Sequence, residues 1–479
     1  MLTGRKAEQE KLLTFYHSDT AEFAAVWGRR RIGKTYLIRE TFRKLDGYYL
    51  QITGEKKASL ASQLANFAKS FSEAFYPKGI KVETPKTWKH AFDMITTTIK
   101  EMCGDKKVVL FFDELPWLAG EKSGILSALD YYWNNTWVDM PTLKLMVCGS
   151  AASWMMDNIV SNKGGLHNRI QLKIRLEPFS LIETHEFLSV QGHQYTPEQV
   201  LQVYLIMGGV PFYLKLLQKK YSIAQNINEL CFSSTGILFN EFNELYSSLF
   251  SSPESYEEIV QVLAQNPQGL KRTSLIKKLK LSSDGGGVNR RLKALVESGF
   301  IKEQTFFSAK KPEKRYVLID EYTLFYNHWI QPEASSIQML NTLGQHWQHI
   351  INEPKFFSWR GLAFERCCYK HLPDILKALH IQSIGLLGPW QDEGAQIDLY
   401  VDRNDDAITL CEIKYTNEAF TIDKRYAQDL KNRISIVREK MKTRKQIILA
   451  IISVNGVTEN LYSKELVTWN ITLAQLMGL

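Results

Sequence analysis

No stretch of eighteen consecutive apolar residues occurs in the chain, so hydropathy offers no membrane-spanning helix. The opening stretch MLTGRKAEQEKLL carries charges of both signs and no apolar segment of the kind a secretory leader needs. A cytoplasmic protein without a membrane partner is therefore expected. Cysteine is sparse as well. The six, at positions 103, 148, 231, 367, 368 and 411, form no C-x-x-C pair and have no histidine at zinc-ligand spacing, and several sit inside apolar runs. That pattern speaks against a zinc ribbon or a disulfide framework and predicts buried, reduced thiols.

What is present is ample material for packed cores: 44% hydrophobic and 12% aromatic content over 479 residues. That length suggests about three domains. The net charge of +8 is unevenly spread. Thirteen Lys/Arg against four Asp/Glu fall between Lys271 and Arg315, a local excess of nine that leaves the rest of the chain at −1. One segment thus carries the basic character.

Near the start, WGRRRIGKT joins an apolar run, Phe23 to Trp27, to a helix-like stretch, Tyr36 to Phe42. Gly28, Gly33, Lys34 and Thr35 satisfy G-x-x-x-x-G-K-[ST] between a strand and a helix, the context that motif requires. The glycines let successive backbone N–H groups aim at phosphate oxygens, and the helix N-terminus adds its positive dipole end. Lys34 is expected on the β- and γ-phosphates of ATP and Thr35 on Mg²⁺. Arg31, Ile32 and Tyr36 complete the expected nucleotide-contacting stretch. Arg29, Arg30 and Arg31 occupy variable positions of the motif and read as local positive potential.

An ATP site needs an acidic partner, and KKVVLFFDELPWL supplies an apolar strand ending in Asp113 and Glu114. Asp113 is expected to hold Mg²⁺ and Glu114 to polarise the attacking water. Further strand-like runs at Gly47 to Ile52, Leu143 to Cys148 and Gln171 to Leu176 alternate with helix-length segments, which predicts a parallel sheet with helices on both faces. Ser150, after the fourth strand, reads either as a γ-phosphate sensor or as a helix N-cap. Arg169 reads either as an arginine finger, in trans if the protein oligomerises, or as a surface arginine.

TGRKAEQEKL, WGRRRIGKT, LFFDE, CGSAASWM and MGGVPFYL, in this order, resemble the archaeal-type ATPase family of the AAA and STAND-related NTPases. The resemblance continues through RYVLIDEYTLFYNHW to the C-terminus. It implies that Gly4 and Arg5 border the adenine site and that the element Gly208 to Pro211 lies in a helical lid, with Pro211 near the nucleotide.

In the basic middle, helical periodicity over 253–265, a short basic helix from Thr273 to Leu279 and a third from about Val288 to Glu297 precede GFIKEQTFF, the turn SAKKPEK and the strand RYVLID. Three helices and a hairpin predict a winged helix-turn-helix. Asn289, Arg290, Arg291 and Lys293 would face a groove, and Lys310, Lys311, Lys314 and Arg315 on the wing would meet phosphates. The competing reading is a structural or protein-binding module with solvated charges.

After a helical connector the pattern changes. RGLAFERCCYKHL is helix-like with Glu365 inside it, and GAQIDLYVD and AITLCEIKY alternate as strands around the turn RNDD. A three-residue loop at Asn404 to Asp406 puts Asp398 opposite Glu412, with Lys414 on the same face. Two opposed carboxylates can clamp a divalent cation, and a neighbouring lysine can orient water. Glu365, Asp398, Glu412 and Lys414 resemble the PD-(D/E)XK nuclease superfamily. Gln396 departs from it, standing where many such domains have glutamate.

The expected fold class is multidomain α/β. Its parts are a P-loop NTPase core over 1–178, a helical lid over 179–250, a winged helix-turn-helix over 251–335, a helical connector over 336–355 and a PD-(D/E)XK nuclease-like domain over 356–479. The expected cofactors are ATP and Mg²⁺, with Mn²⁺ an option at the C-terminal site. Nucleic acid, DNA foremost, is the expected partner of an ATPase that controls a metal-dependent nuclease or nucleic-acid binding. The alternative is a STAND-like switch with a protein partner and a non-catalytic C-terminal domain.

Overall fold

The computed structural model describes residues 2–161, 168–279, 286–340 and 346–479. The chain divides into two compact units, Met1–Pro178 with Glu297–Gly299, and Phe179–Val296 with Phe300–Leu479.

In the first unit, β1 (Glu22–Trp27), β2 (Tyr48–Thr53), β3 (Val108–Asp113), β4 (Leu143–Gly149) and β5 (Leu172–Arg175) form a parallel sheet in the order β2-β3-β4-β1-β5. Every residue of β3 and β4 is buried. Apolar groups therefore line both faces: Phe23, Ala25, Phe112 and Leu145 on one, Ala24, Val26, Phe111 and Met146 on the other. This two-sided burial is why the strands read as continuous apolar runs rather than alternating ones. Because β4 lies between β1 and β3, the chain segments leaving these three strands gather at one end of the sheet, where ligands of open α/β sheets bind.

The second unit begins with helices. Gly208 and Gly209 have φ of 65° and 59°, and a Cβ would lie 2.4 Å from Glu321 Oε2 at the first and 2.1 Å from the Phe179 carbonyl oxygen at the second. Close packing thus requires both glycines, and Pro211 opens the helix Pro211–Leu214. Helices Glu254–Ala264, Arg272–Lys278 and Gly286–Glu297 precede an antiparallel pair, β6 (Ile301–Phe306) and β7 (Glu313–Leu318), and Leu270 bridges Tyr316. Residues 280–285, in the stretch between the second and third helices, and 341–345, in the expected connector, lie outside the described residues.

A second sheet follows: β8 (Ile384–Asp392), β9 (Ala395–Arg403), β10 (Ala407–Lys414), β11 (Gln446–Ser453) and β12 (Trp469–Thr472), in the order β12-β11-β10-β9-β8. The pairs β8–β9 and β9–β10 are antiparallel, and β10–β11 and β11–β12 are parallel. The β9–β10 hairpin has the expected register, with Ile408 opposite Asp402 and Cys411 opposite Leu399. Helix Pro354–Lys370 packs Phe364 and Cys368 in a core with Leu399 and Cys411. Helix Lys424–Lys440 packs Ala427 and Leu430 with Tyr400 and Leu410 in another. The larger core takes in residues from Phe179 to Met477, so the segments read as lid, helix-and-hairpin module and C-terminal domain share apolar contacts, while the C-terminal sheet also holds a smaller core under helix Lys424–Lys440. All six cysteines are buried thiols. No helix among the described residues is long and apolar enough to cross a membrane.

Candidate functional site

The loop after β1 turns on Gly28, Arg31 and Gly33, with φ of 144°, 71° and 89°. A Cβ on Gly28 would lie 2.2 Å from the Leu176 carbonyl oxygen. Gly28→Ala is accordingly expected to cost about 2–4 kcal/mol of stability in denaturant unfolding, and a loss below about 0.5 kcal/mol would refute the close approach. Ile32 is buried, and its carbonyl accepts a hydrogen bond from Arg5 Nη2 at 3.4 Å. Gly4 and Arg5 both have positive φ, so the residues before the first helix are shaped to meet the loop. Tyr36 is exposed on helix Lys34–Phe42, with Arg39 over its ring. Arg29 is buried, and Arg30 and Arg31 are partly exposed.

Lys34 Nζ donates to the carbonyls of Gly28 and Arg29 at 3.0 and 2.8 Å, which centres its charge on the loop. Thr35 Oγ1 donates to both carboxylate oxygens of Asp113, at 3.1 and 2.9 Å. Burial, and then the charge of Glu114, push the Asp113 carboxyl up to about 6, against the opposing pull of Thr35 and Lys34. Mg²⁺ typically takes one or two protein oxygens and completes its shell with phosphates and water, so this hydroxyl–carboxylate pair fits it. Glu114 sits in the left-handed region, φ 49°, and its Oε2 accepts from the backbone N and Oγ of Ser150 at 3.0 and 2.9 Å. Ser150 therefore orients Glu114, and the N-cap position of the short helix after it is Ala151, with no side-chain cap. Arg169 is exposed and follows Asn168, just after residues 162–167, which lie outside the described residues. Pro211 belongs to the second unit.

In the second unit, Asp398 and Glu412 lie one step beyond the last paired residues of the β9–β10 ladder, and Asp398 Oδ2 accepts from the Ile413 N–H at 2.8 Å. Glu412 is 1% exposed on its side chain. Its oxygens accept from Arg433 Nη1, at 2.9 Å to each, from Lys414 Nζ at 3.1 Å and from Tyr426 Oη at 2.9 Å. Lys414 also lies 3.8 Å from Asp398. Burial would lower the Lys414 pKa, but Glu412 and Asp398 outweigh it and hold it raised. Burial, then the negative charge of Asp398, raises the Glu365 carboxyl. The four expected residues are thus brought together, but with Glu412 neutralised by cations. Among the described residues no group of three or more His, Cys, Asp and Glu side chains is placed to hold a metal ion. As arranged, this set does not fit a divalent cation, because Arg433 stands on both oxygens that would coordinate it.

The basic segment presents Asn289, Arg290 and Lys293 on the exposed side of helix Gly286–Glu297, with Arg291 half-buried. Lys310 and Lys311 are exposed at the hairpin tip. Lys314 is paired with Glu303 at 2.6 Å, and Arg315 lies over the Phe306 ring at 4.3 Å with its side chain 20% exposed. Arg315 is therefore held within the hairpin and does not project from it.

Three residues at these sites escaped the sequence reading. Gln51 Nε2 reaches Asp113 at 3.5 Å, and its one signal is an amide inside the apolar strand YYLQIT. Arg433 and Tyr426 approach Glu412 from a helix, and no local pattern ties them to it.

Residues 2–217 match the family described as an ATPase domain predominantly from Archaea. An uncharacterized protein of Methanocaldococcus jannaschii is 25% identical over 451 residues, 91% of this chain and 92% of its own. A Walker-type ATPase of Pyrococcus abyssi is similar in fold over 68% of this chain and 96% of its own, with a TM-score of 0.50 and 16% identity. Residues 2–217 are thus similar to archaeal ATPase domains, and the sheet order, the Lys34 loop and the Asp113–Glu114 pair agree with that likeness.

Proposed function

We propose that this ATPase uses its nucleotide state to control engagement of nucleic acid by the C-terminal half of the chain. Lys34 and the loop N–H groups bind the phosphates, Thr35 and Asp113 hold Mg²⁺, and Glu114, oriented by Ser150, takes the proton of the attacking water. Mg²⁺ supplies charge neutralisation on the phosphates. The observation that carries nucleic-acid engagement is the exposed Asn289, Arg290 and Lys293 on a 12-residue helix, within three helices and a hairpin of winged-helix order.

Phosphate contacts release counterions, so binding of DNA is expected to weaken steeply with salt. The double variant Arg290→Ala/Lys293→Ala should reduce the slope of log K against log salt by about 2. A salt slope near zero in the wild type would refute the proposal.

The helix–strand–strand placement of Glu365, Asp398, Glu412 and Lys414 supports a nuclease-like C-terminal domain. The pairing of Glu412 with Arg433 favours a domain that binds without cutting, the second reading being a regulatory switch with a protein partner. Cleavage of single- and double-stranded DNA and RNA with Mg²⁺ or Mn²⁺, with and without ATP, separates the readings. Cleavage abolished by Glu412→Ala would overturn the non-cutting one.

A further inference from the structure

Outside residues 271–315 the chain is near neutral as a whole, but its charges are again unevenly spread. Between Lys424 and Lys445 stand nine Lys/Arg against two Asp/Glu, an excess of seven on helix Lys424–Lys440 and the turn after it. Three of the nine are neutralised: Lys431 pairs with Glu465 at 2.6 Å, Lys445 with Asp402 at 2.6 Å, and Arg433 with Glu412 and Asp429. Lys424, Arg425, Arg438, Lys442 and Arg444 are exposed and have no acidic partner among the described residues.

Helix stability does not account for them. Cations in the last turn, such as Arg438, suit the negative end of the helix dipole. Lys424 and Arg425 stand in the first turn, which holds no acidic residue and where positive charge opposes that dipole. A charge placed against the helix's own field is a local conflict of the kind that marks a functional surface.

The surface has a definite chemistry. Lys424, Lys431 and Arg438 recur at seven-residue intervals, so they project from one side of the helix about 10 Å apart. From first to last they span about 21 Å, or about six steps of a duplex at about 3.4 Å each. Gln428, Asn432 and Ser435 are exposed between them, and each can donate a hydrogen bond to a phosphate oxygen. No exposed residue of this helix is aromatic or apolar. The face therefore offers neither a stacking platform for single strands nor an apolar side to enter a lipid surface.

The helix also continues a second basic element. At the tip of the β6–β7 hairpin the Ala309 N–H donates to Asp392 Oδ2 at 2.9 Å, and Lys310 and Lys311 are exposed. The Asp392 carboxyl is held low by the N–H groups of Ala309 and Glu393, and then by the charges of Lys440 and Lys310. Hairpin tip and last helical turn thus meet at one carboxylate. The tip is fixed there, since the Phe307 N–H donates to the Pro389 carbonyl at 2.8 Å and the Gln391 N–H to the Phe307 carbonyl at 2.9 Å. All these residues belong to the second unit.

We propose that the exposed face of helix Lys424–Lys440, continued by the hairpin tip, binds the phosphate backbone of duplex DNA without regard to sequence. The inference rests on the nucleic-acid reading above and adds the C-terminal domain to the contact surface.

The test is fluorescence anisotropy of labelled duplex DNA with the full chain, across a salt series in EDTA so that no cleavage intervenes. Arg425→Ala/Arg438→Ala/Lys442→Ala is expected to lower the slope of log K against log salt by about 3 and to weaken binding at least about tenfold at about 0.1 M salt. Two duplexes of unrelated sequence should respond alike. Lys424→Ala/Arg425→Ala is the second variant, expected to lower the slope by about 2 while its unfolding midpoint stays level or rises. A midpoint lowered by more than a few degrees would show that these cations serve the fold, and would overturn the inference. An unchanged slope in the triple variant, with Arg290→Ala/Lys293→Ala still lowering it, would overturn this inference alone. Tighter binding of the same-length single strand, of phosphatidylserine vesicles or of poly-glutamate would overturn the assignment to duplex DNA. Absence of binding to every nucleic acid would overturn the nucleic-acid reading together with it.

Discussion

Lys34→Ala is expected to lower ATP turnover by about two to three orders of magnitude, the usual effect of removing a principal electrostatic stabiliser of a developing charge. The expectation follows from where the ammonium sits. Its two loop-carbonyl partners, at 3.0 and 2.8 Å, hold Nζ within the turn proposed to bind the phosphates. Lysine acts there as a compact charge. Because the side chain is also buried, alanine removes packing as well, and Lys34→Met separates the two effects. The methionine variant should keep the wild-type unfolding midpoint within a few degrees and still lose turnover. Steady-state phosphate release with both variants checks this, and unchanged hydrolysis in either would refute the assignment of the loop.

Much of this site is visible along the chain because its parts are local. The Lys34 loop spans a few residues with special backbone angles, and glycine at 28 and 33 announces them. The run VVLFFD is apolar because β3 is covered on both faces, and its acidic end marks the end of the strand. The β9–β10 register follows from a short turn. Features decided by distant pairing are not visible in this way. The insertion of β4 between β1 and β3 leaves no local trace, because it depends on crossovers rather than on any strand's own residues. Arg29, the first of an arginine triplet, reads as local positive potential, and its burial leaves no local trace. Arg315 reads as a phosphate contact on a wing and lies over Phe306 within the hairpin, while Phe307, after β6, pairs with Trp390 on the edge of β8. An edge strand is open to such pairing, and nothing in the hairpin's composition says which edge it will find.

The contact of Arg433 with Glu412, formed across 21 residues, belongs to the same class, and it decides what the C-terminal cluster can do. Arg433→Ala is expected to destabilise the chain by about 2 kcal/mol in urea unfolding. Breaking a fully buried pair costs about 3–5 kcal/mol because the remaining charge is left without compensation. Here the loss is smaller, since Arg433 is 24% exposed and Lys414 and Tyr426 remain on the carboxylate. Arg433→Lys should recover only part of the loss, because an ammonium cannot reproduce the guanidinium's fork geometry. A double-mutant cycle with Glu412→Gln isolates the pair, and a coupling below about 0.3 kcal/mol would show the contact to be idle. The same variant tests the cluster's chemistry. With the guanidinium gone, Glu412 Oε1 is released while Lys414 and Tyr426 stay on Oε2, and millimolar Mn²⁺ should raise the unfolding midpoint of Arg433→Ala while leaving the wild type unmoved. An equal response in both proteins would mean that the guanidinium does not compete with a cation for Glu412. A response confined to the variant would show that the charge balance at Glu412, rather than the placement of the acids, holds this cluster away from metal chemistry.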